Sequence, residues 1–171
     1  MKNLILIGFM GAGKTTIGKL FSKEKGRKFV DTDERIVREQ GKSIPELFDE
    51  RGEGYFRDLE TELLKKMLMD TKGAVISVGG GMPVRKENRE LLRMLGCVIY
   101  LSATKETILS RVRGDGSRPM LNGEDLEARV IRLLQERETL YKKAAHVEVR
   151  TDGRSVYQVM QVVDQETRKW L

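Results

Sequence analysis

The 171-residue chain has a single cysteine, Cys97, a single histidine, His146, and a single tryptophan, Trp170. One cysteine excludes an intramolecular disulfide and any multi-cysteine zinc site. No apolar run approaches the roughly 20 residues of a membrane-spanning helix, so no membrane partner is expected. The amino-terminal stretch carries one lysine and a short apolar core, with no small-residue cleavage pattern, and this leads to the expectation of a cytoplasmic protein. Aromatic residues make up only 6% of the chain and do not interleave with basic ones, so the stacking platforms of a nucleic-acid binder are missing. His146, in AAHVEV, has no partner motif and reads as structural; Cys97, in GCVIYL, reads as a small buried hydrophobe.

Charge is present in quantity, 32 Lys and Arg against 26 Asp and Glu, for a net +6. Residues 1–30 hold seven cations (Lys2, Lys14, Lys19, Lys23, Lys25, Arg27 and Lys28) and one carboxylate, Glu24, which accounts for the whole surplus. The remaining 25 cations and 25 carboxylates cancel. A surplus confined to one strand–loop–helix unit is a local feature, and not the basic face of a polyanion binder.

At roughly 100–200 residues per domain, the length fits one domain. Asn3 to Ile7 (NLILI) is a short apolar run that ends in glycine, the mark of a strand buried on both faces of a parallel sheet. Similar runs lie at Lys28–Val30, Ala74–Val78, Cys97–Leu101 and Val147–Val149. Between them, segments with helical periodicity cover 15–25, 33–40, 45–51, 57–69, 86–94, 104–113, 124–143 and 154–169. This alternation predicts an α/β three-layer sandwich around a five-stranded parallel sheet. Two glycine-rich loops interrupt it, Gly79-Gly80-Gly81 and a charged segment around Gly114-Asp115-Gly116-Ser117-Arg118 with few apolar anchors, the composition of a mobile lid spanning about 112–124.

The strongest chemical signal is Gly8-Phe9-Met10-Gly11-Ala12-Gly13-Lys14-Thr15, directly after a strand and directly before a helix. In that setting the backbone N–H groups over 8–16, from Gly11, Ala12 and Gly13 to Thr16, wrap a phosphate. Lys14 reaches the β and γ phosphates, and Thr15 ligates Mg²⁺. The hydrophobic strand AVISV runs into Gly79 instead of an aspartate, and no NKxD occurs, which argues against a signalling GTPase or motor ATPase. Instead Asp31-Thr32-Asp33 follows sixteen residues after Thr15. Two carboxylates two apart in extended chain, Asp31 and Asp33, point the same way, so that one can face the metal and the other a substrate hydroxyl. The alternative is a helix N-cap, with Asp33 or Thr32 capping the helix that follows.

With Asp31 and Asp33 beside GFMGAGKTT, the chain resembles the shikimate kinases. The order and spacing of Phe56-Arg57-Asp58-Leu59-Glu60, Gly79-Gly80-Gly81, Arg118-Pro119-Met120-Leu121 and Arg137 with Tyr141 extend the likeness over residues 3 to about 155. The resemblance implies a P-loop fold of the nucleoside-monophosphate-kinase type acting as one kinase domain, with a substrate-binding segment at about 31–62. It implies ATP and shikimate as substrates, Mg²⁺ as cofactor and a monomeric enzyme. Arg57 and Arg137 would clamp the shikimate carboxylate, and Asp33 would accept the proton of the attacking 3-hydroxyl. Gly79, Gly80 and Gly81 would let the backbone approach the substrate. Arg118 would close over ATP as a catalytic arginine beside Lys14, and Arg154 would lie near the adenine; Arg111 and Arg113 read equally well as nucleotide contacts or as a solvated helix end. The rival within the same architecture is another small-metabolite kinase, such as one acting on gluconate.

Overall fold

The computed structural model describes residues 2–113 and 125–170. Its five strands are β1 (Asn3–Ile7), β2 (Phe29–Asp31), β3 (Val75–Ser77), β4 (Gly96–Ser102) and β5 (Val147–Arg150), in the order β2-β3-β1-β4-β5. Every pairing is parallel, with Leu4 opposite both Val75 and Cys97 and Ile99 opposite Val147. The five apolar-rich residues of β1 are all buried, because helices cover both faces of the sheet. Asn3 is the one polar residue among them, and its amide is fully used. It donates to Thr71 O and to Leu95 O, each at 2.9 Å, and accepts from the Ala74 N–H at 2.9 Å. That one side chain ties together the starts of the three central strands.

The helices are α1 (Lys14–Lys25), α2 (Thr32–Gln40), α3 (Ile44–Asp70), α4 (Lys86–Leu95), α5 (Lys105–Arg113), α6 (Leu126–Ala144) and α7 (Val156–Thr167), with a 3₁₀ turn at Met82–Val84. Each strand runs toward the same sheet edge, so the loops after all five strands gather there. Strand order reverses on either side of β1, which puts the β1–α1 loop at the switch point, where ligands of open parallel sheets bind. Buried Asn88 of α4 meets Thr61 Oγ1 of α3 at 2.7 Å and donates to Met82 O at 3.0 Å, fixing the 3₁₀ turn and the glycine loop before it against both helices.

Candidate active site

Gly13 caps α1 in the left-handed region, with φ 92°, and leaves the first N–H groups of the helix facing outward. Lys14, the first helical residue, folds back over the loop and donates to Gly8 O at 2.8 Å and Phe9 O at 2.9 Å. Two cavities meet here. One, about 360 Å³, is lined by Gly11 to Ile17 with Arg111, Thr151, Arg154 and Val156. The other, about 650 Å³, is lined by Asp31, Asp33, Arg57, Glu60, the glycine loop and Arg137. Lys14 and Thr15 line both cavities, so a group passed from one to the other crosses these two residues.

The first cavity is walled by the glycine-rich loop, the start of α1 and two arginines. Arg111 donates to Gly11 O at 2.9 Å, which pins its guanidinium against the phosphate loop from the opposite helix, and Arg154 donates to Arg150 O at 2.7 Å. Ser155 caps α7 through a reciprocal pair with Gln158, and this presents Val156, 39% exposed, as the first helical residue at the cavity wall.

At the junction, Asp31 divides its two oxygens. Oδ1 accepts from the N–H groups of Asp33 and Glu34 at 3.0 and 3.2 Å, and Oδ2 accepts from Thr15 Oγ1 at 3.4 Å. The N-cap of α2 is therefore Asp31, not Asp33 or Thr32. The extended-chain argument for the two carboxylates also gives way, because the helix has already begun at Thr32. Asp31 and Asp33 nonetheless line the same cavity, one from the cap and one from the first turn. Thr32 points inward and accepts the Gly79 N–H at 3.1 Å, which docks the glycine loop onto α2.

Arg57 and Arg137 reach the second cavity from α3 and α6, two elements far apart in the chain. Arg57 donates to Glu60 Oε2 at 2.7 Å and to Glu53 Oε1 at 3.1 Å. Tyr141, one turn beyond Arg137, donates to Gly80 O at 2.7 Å, and burial pushes its hydroxyl up to about 12, so it stays a donor. A Cβ at Gly79 would sit 2.7 Å from Asp33 Oδ1, and one at Gly81 would overlap the Arg57 guanidinium. The loop is bare because site side chains press against it.

In the sequence Glu60 figures only as the last residue of Phe56-Arg57-Asp58-Leu59-Glu60, with no role of its own. The structure buries it completely in the cavity wall, with Oε1 lacking a hydrogen-bond partner among the described residues. Burial pushes its carboxyl up to about 7, with Arg57 and Arg137 pulling the other way and Asp33 adding to the rise. Its i+3 spacing from Arg57 signals the pair, but nothing local in the sequence signals the burial. Arg118 and most of the expected lid lie outside the described residues.

The family model described as shikimate kinase matches residues 10–168. A shikimate kinase of Persephonella marina is 40% identical over 160 residues, 94% of this chain and 95% of the relative, and one of Bacillus anthracis is 41% identical over 160 residues, 94% of each chain. Among solved structures, the shikimate kinase of Acinetobacter baumannii in complex with shikimate superposes with a TM-score of 0.92 at 36% identity, covering 99% of this chain and 94% of that one.

Proposed function

The chain belongs to the shikimate kinase family, ATP-dependent kinases that phosphorylate shikimate, and from that premise we propose how its own residues divide the work. The observation that carries the division is the junction at Lys14 and Thr15, with a phosphate loop on one side and a carboxylate-lined, arginine-bearing cavity on the other. The ATP phosphates lie along Gly11 to Thr16, and the nucleoside extends toward Arg111 and Arg154. Shikimate is one carboxylate and three hydroxyls on a ring. Arg57 and Arg137 take the carboxylate, because planar guanidinium groups match it in paired hydrogen bonds. Asp33 faces the hydroxyls from the first turn of α2, accepts the hydrogen bond of the 3-hydroxyl and takes its proton as that oxygen attacks the γ-phosphorus. Lys14 neutralises charge on the transferring group, and Arg118 joins it from the lid.

Thr15 Oγ1 and Asp31 Oδ2, 3.4 Å apart at the junction, are hard oxygen donors of the kind Mg²⁺ takes. No group of three or more His, Cys, Asp or Glu placed to hold a metal ion occurs among the described residues, and a nucleotide-borne Mg²⁺ needs none, since phosphates and water would complete its shell. When bound, the ion offsets phosphate charge; the chain's part is to hold it through Thr15 and Asp31. One chain lines both cavities, which supports a monomer, and we place it in the cytoplasm as one kinase domain, with its substrate segment at about 31–62.

Release of ADP with Mg²⁺·ATP tests the reading. Turnover that depends on shikimate and not on gluconate is the expected result. A folded, ATP-binding protein that turns over gluconate, or neither acceptor, would overturn it.

A further inference from the structure

Seven ionisable groups line the second cavity, and four of them form the cluster around Glu60, apart from Lys14, Asp31 and Asp49. Arg57 and Glu60 come from α3, Asp33 from α2 and Arg137 from α6, while Glu53 touches Arg57 from the outer side, where its own side chain is 61% exposed. With these four ionised the cluster is neutral, while Lys14, Asp31 and Asp49 bring the whole lining to −1. A ligand carboxylate brought to the two arginines leaves one negative charge too many beside Glu60, which is shut away from solvent. Asp33 has to stay ionised to accept a hydroxyl proton. Glu60 is 0% exposed, already engages Arg57 through Oε2, and has no hydrogen-bond partner among the described residues at Oε1.

We propose that Glu60 is a positioning residue that takes up a proton as shikimate binds. The inference rests on the substrate reading above. The proton comes from solvent and forms the O–H bond at Oε1; the neutral carboxylic acid then holds Arg57 less tightly and leaves its guanidinium to the substrate carboxylate. Burial already places Glu60 near pH 7 before any anion arrives, so the uptake falls in an accessible range.

Linkage fixes the sign. Above pH 7 the free protein has Glu60 ionised and the complex has it protonated, so affinity for shikimate falls with rising pH, by up to about tenfold per unit. Below pH 7 the free protein already carries the proton, and affinity levels off. The substrate's own carboxylate, ionised throughout this range, contributes nothing.

Titration calorimetry of the whole chain with shikimate alone, at pH 8 and pH 6, each in two buffers of different ionisation enthalpy, counts the protons directly. The expected result is uptake of more than about half a proton per shikimate at pH 8, falling toward zero at pH 6. Glu60→Gln is expected to bind shikimate with no uptake and with a flat pH profile. Shikimate binding at pH 8 with the same heat in both buffers would overturn the proposal and leave the substrate reading standing. Uptake that persists in Glu60→Gln would overturn it too, by placing the proton elsewhere. Absence of shikimate binding at both pH values would take down the substrate reading together with it. Should Glu60→Gln fail to fold, the unaltered protein in its two buffers decides.

Discussion

Arg57 is held by carboxylates along its own helix and by the bare backbone of the glycine loop, and Asp33 is pressed by the same loop two residues earlier. The two contacts separate the proposed roles experimentally. Gly81→Ala pushes the guanidinium out of place, so KM for shikimate should rise about 10–100-fold with a smaller change in kcat, because ground-state binding of the carboxylate is what is lost. Gly79→Ala displaces Asp33 instead, and there kcat should take the larger share. Steady-state kinetics of the two variants side by side test this, and identical effects on both parameters would show that the loop acts as one unit and does not position two groups separately. Asp33→Asn keeps the shape and removes the base; turnover should drop about 10²–10⁴-fold while nucleotide binding, read by a fluorescent ATP analogue, survives. Turnover near normal in that variant would remove Asp33 from the mechanism.

At the scale of elements, local signals located nearly everything whose stability is local. The strand Asn3–Ile7 has the bounds its apolar run predicts, β2, β3 and β4 differ by a residue at each end, and β5 by one at its carboxyl end. Segments 45–51 and 57–69 read as two helices, and α3 is two helical stretches parted by a kink at Gly52, whose φ 82°, ψ 170° is not helical. What the periodicity misses is that the second stretch begins well before residue 57, because Glu53-Gly54-Tyr55 carries no hydrophobic rhythm. The 3₁₀ turn at Met82–Val84 leaves no local signal either, since it depends on Asn88, a residue of the next helix. The candidate site divides along the same line: motif residues were legible because their spacing is local, whereas the burial of Glu60 and the meeting of α3 with α6 are tertiary.

The kink itself has a measurable consequence. At Gly52 the backbone occupies a region that residues with a Cβ scarcely enter, although space for the Cβ is open, so Gly52→Ala should cost about 1–3 kcal/mol from backbone strain alone. Gly54, two residues on, has ordinary helical backbone and equally open surroundings; Gly54→Ala should stabilise by about 1 kcal/mol. Denaturant unfolding of the two variants checks both signs. Only the first should also weaken shikimate binding, because the kink sets the direction in which the following turns carry Arg57 into the cavity.

Over the whole molecule, two titrations, one buried and one half-buried, oppose each other at opposite ends of the sheet. Glu60, at the end where the loops gather, is raised to about 7 by burial from an ordinary 4.5, so the folded chain holds a proton that the unfolded chain releases. Its contribution is most favourable below pH 4.5 and is lost as pH rises to 7, by about 3 kcal/mol in all. His146, beside the starts of the strands, accepts the Val98 N–H on Nδ1 at 3.0 Å and packs against the Trp170 ring at 4.6 Å. Burial, then Arg93 and Lys2, lower its pKa below 6.5, so the folded chain resists a proton that the unfolded chain accepts, and stability is lost as pH falls below 6.5. Just below pH 6.5 the two slopes oppose each other, and the intact protein should show a shallower pH profile there than Glu60 alone would give. Glu60→Gln removes one slope and exposes the other. Its stability should rise with pH up to 6.5 and then level off, and its standing relative to the unaltered protein should improve by about 3 kcal/mol from pH 5 to pH 8. Urea unfolding at pH 5, 6.5 and 8 measures this, and parallel profiles for the two proteins would mean that Glu60 does not change its protonation across the range. The carboxylate held at the active site would then cost the fold nothing at neutral pH, and proton uptake on shikimate binding would lose its physical source.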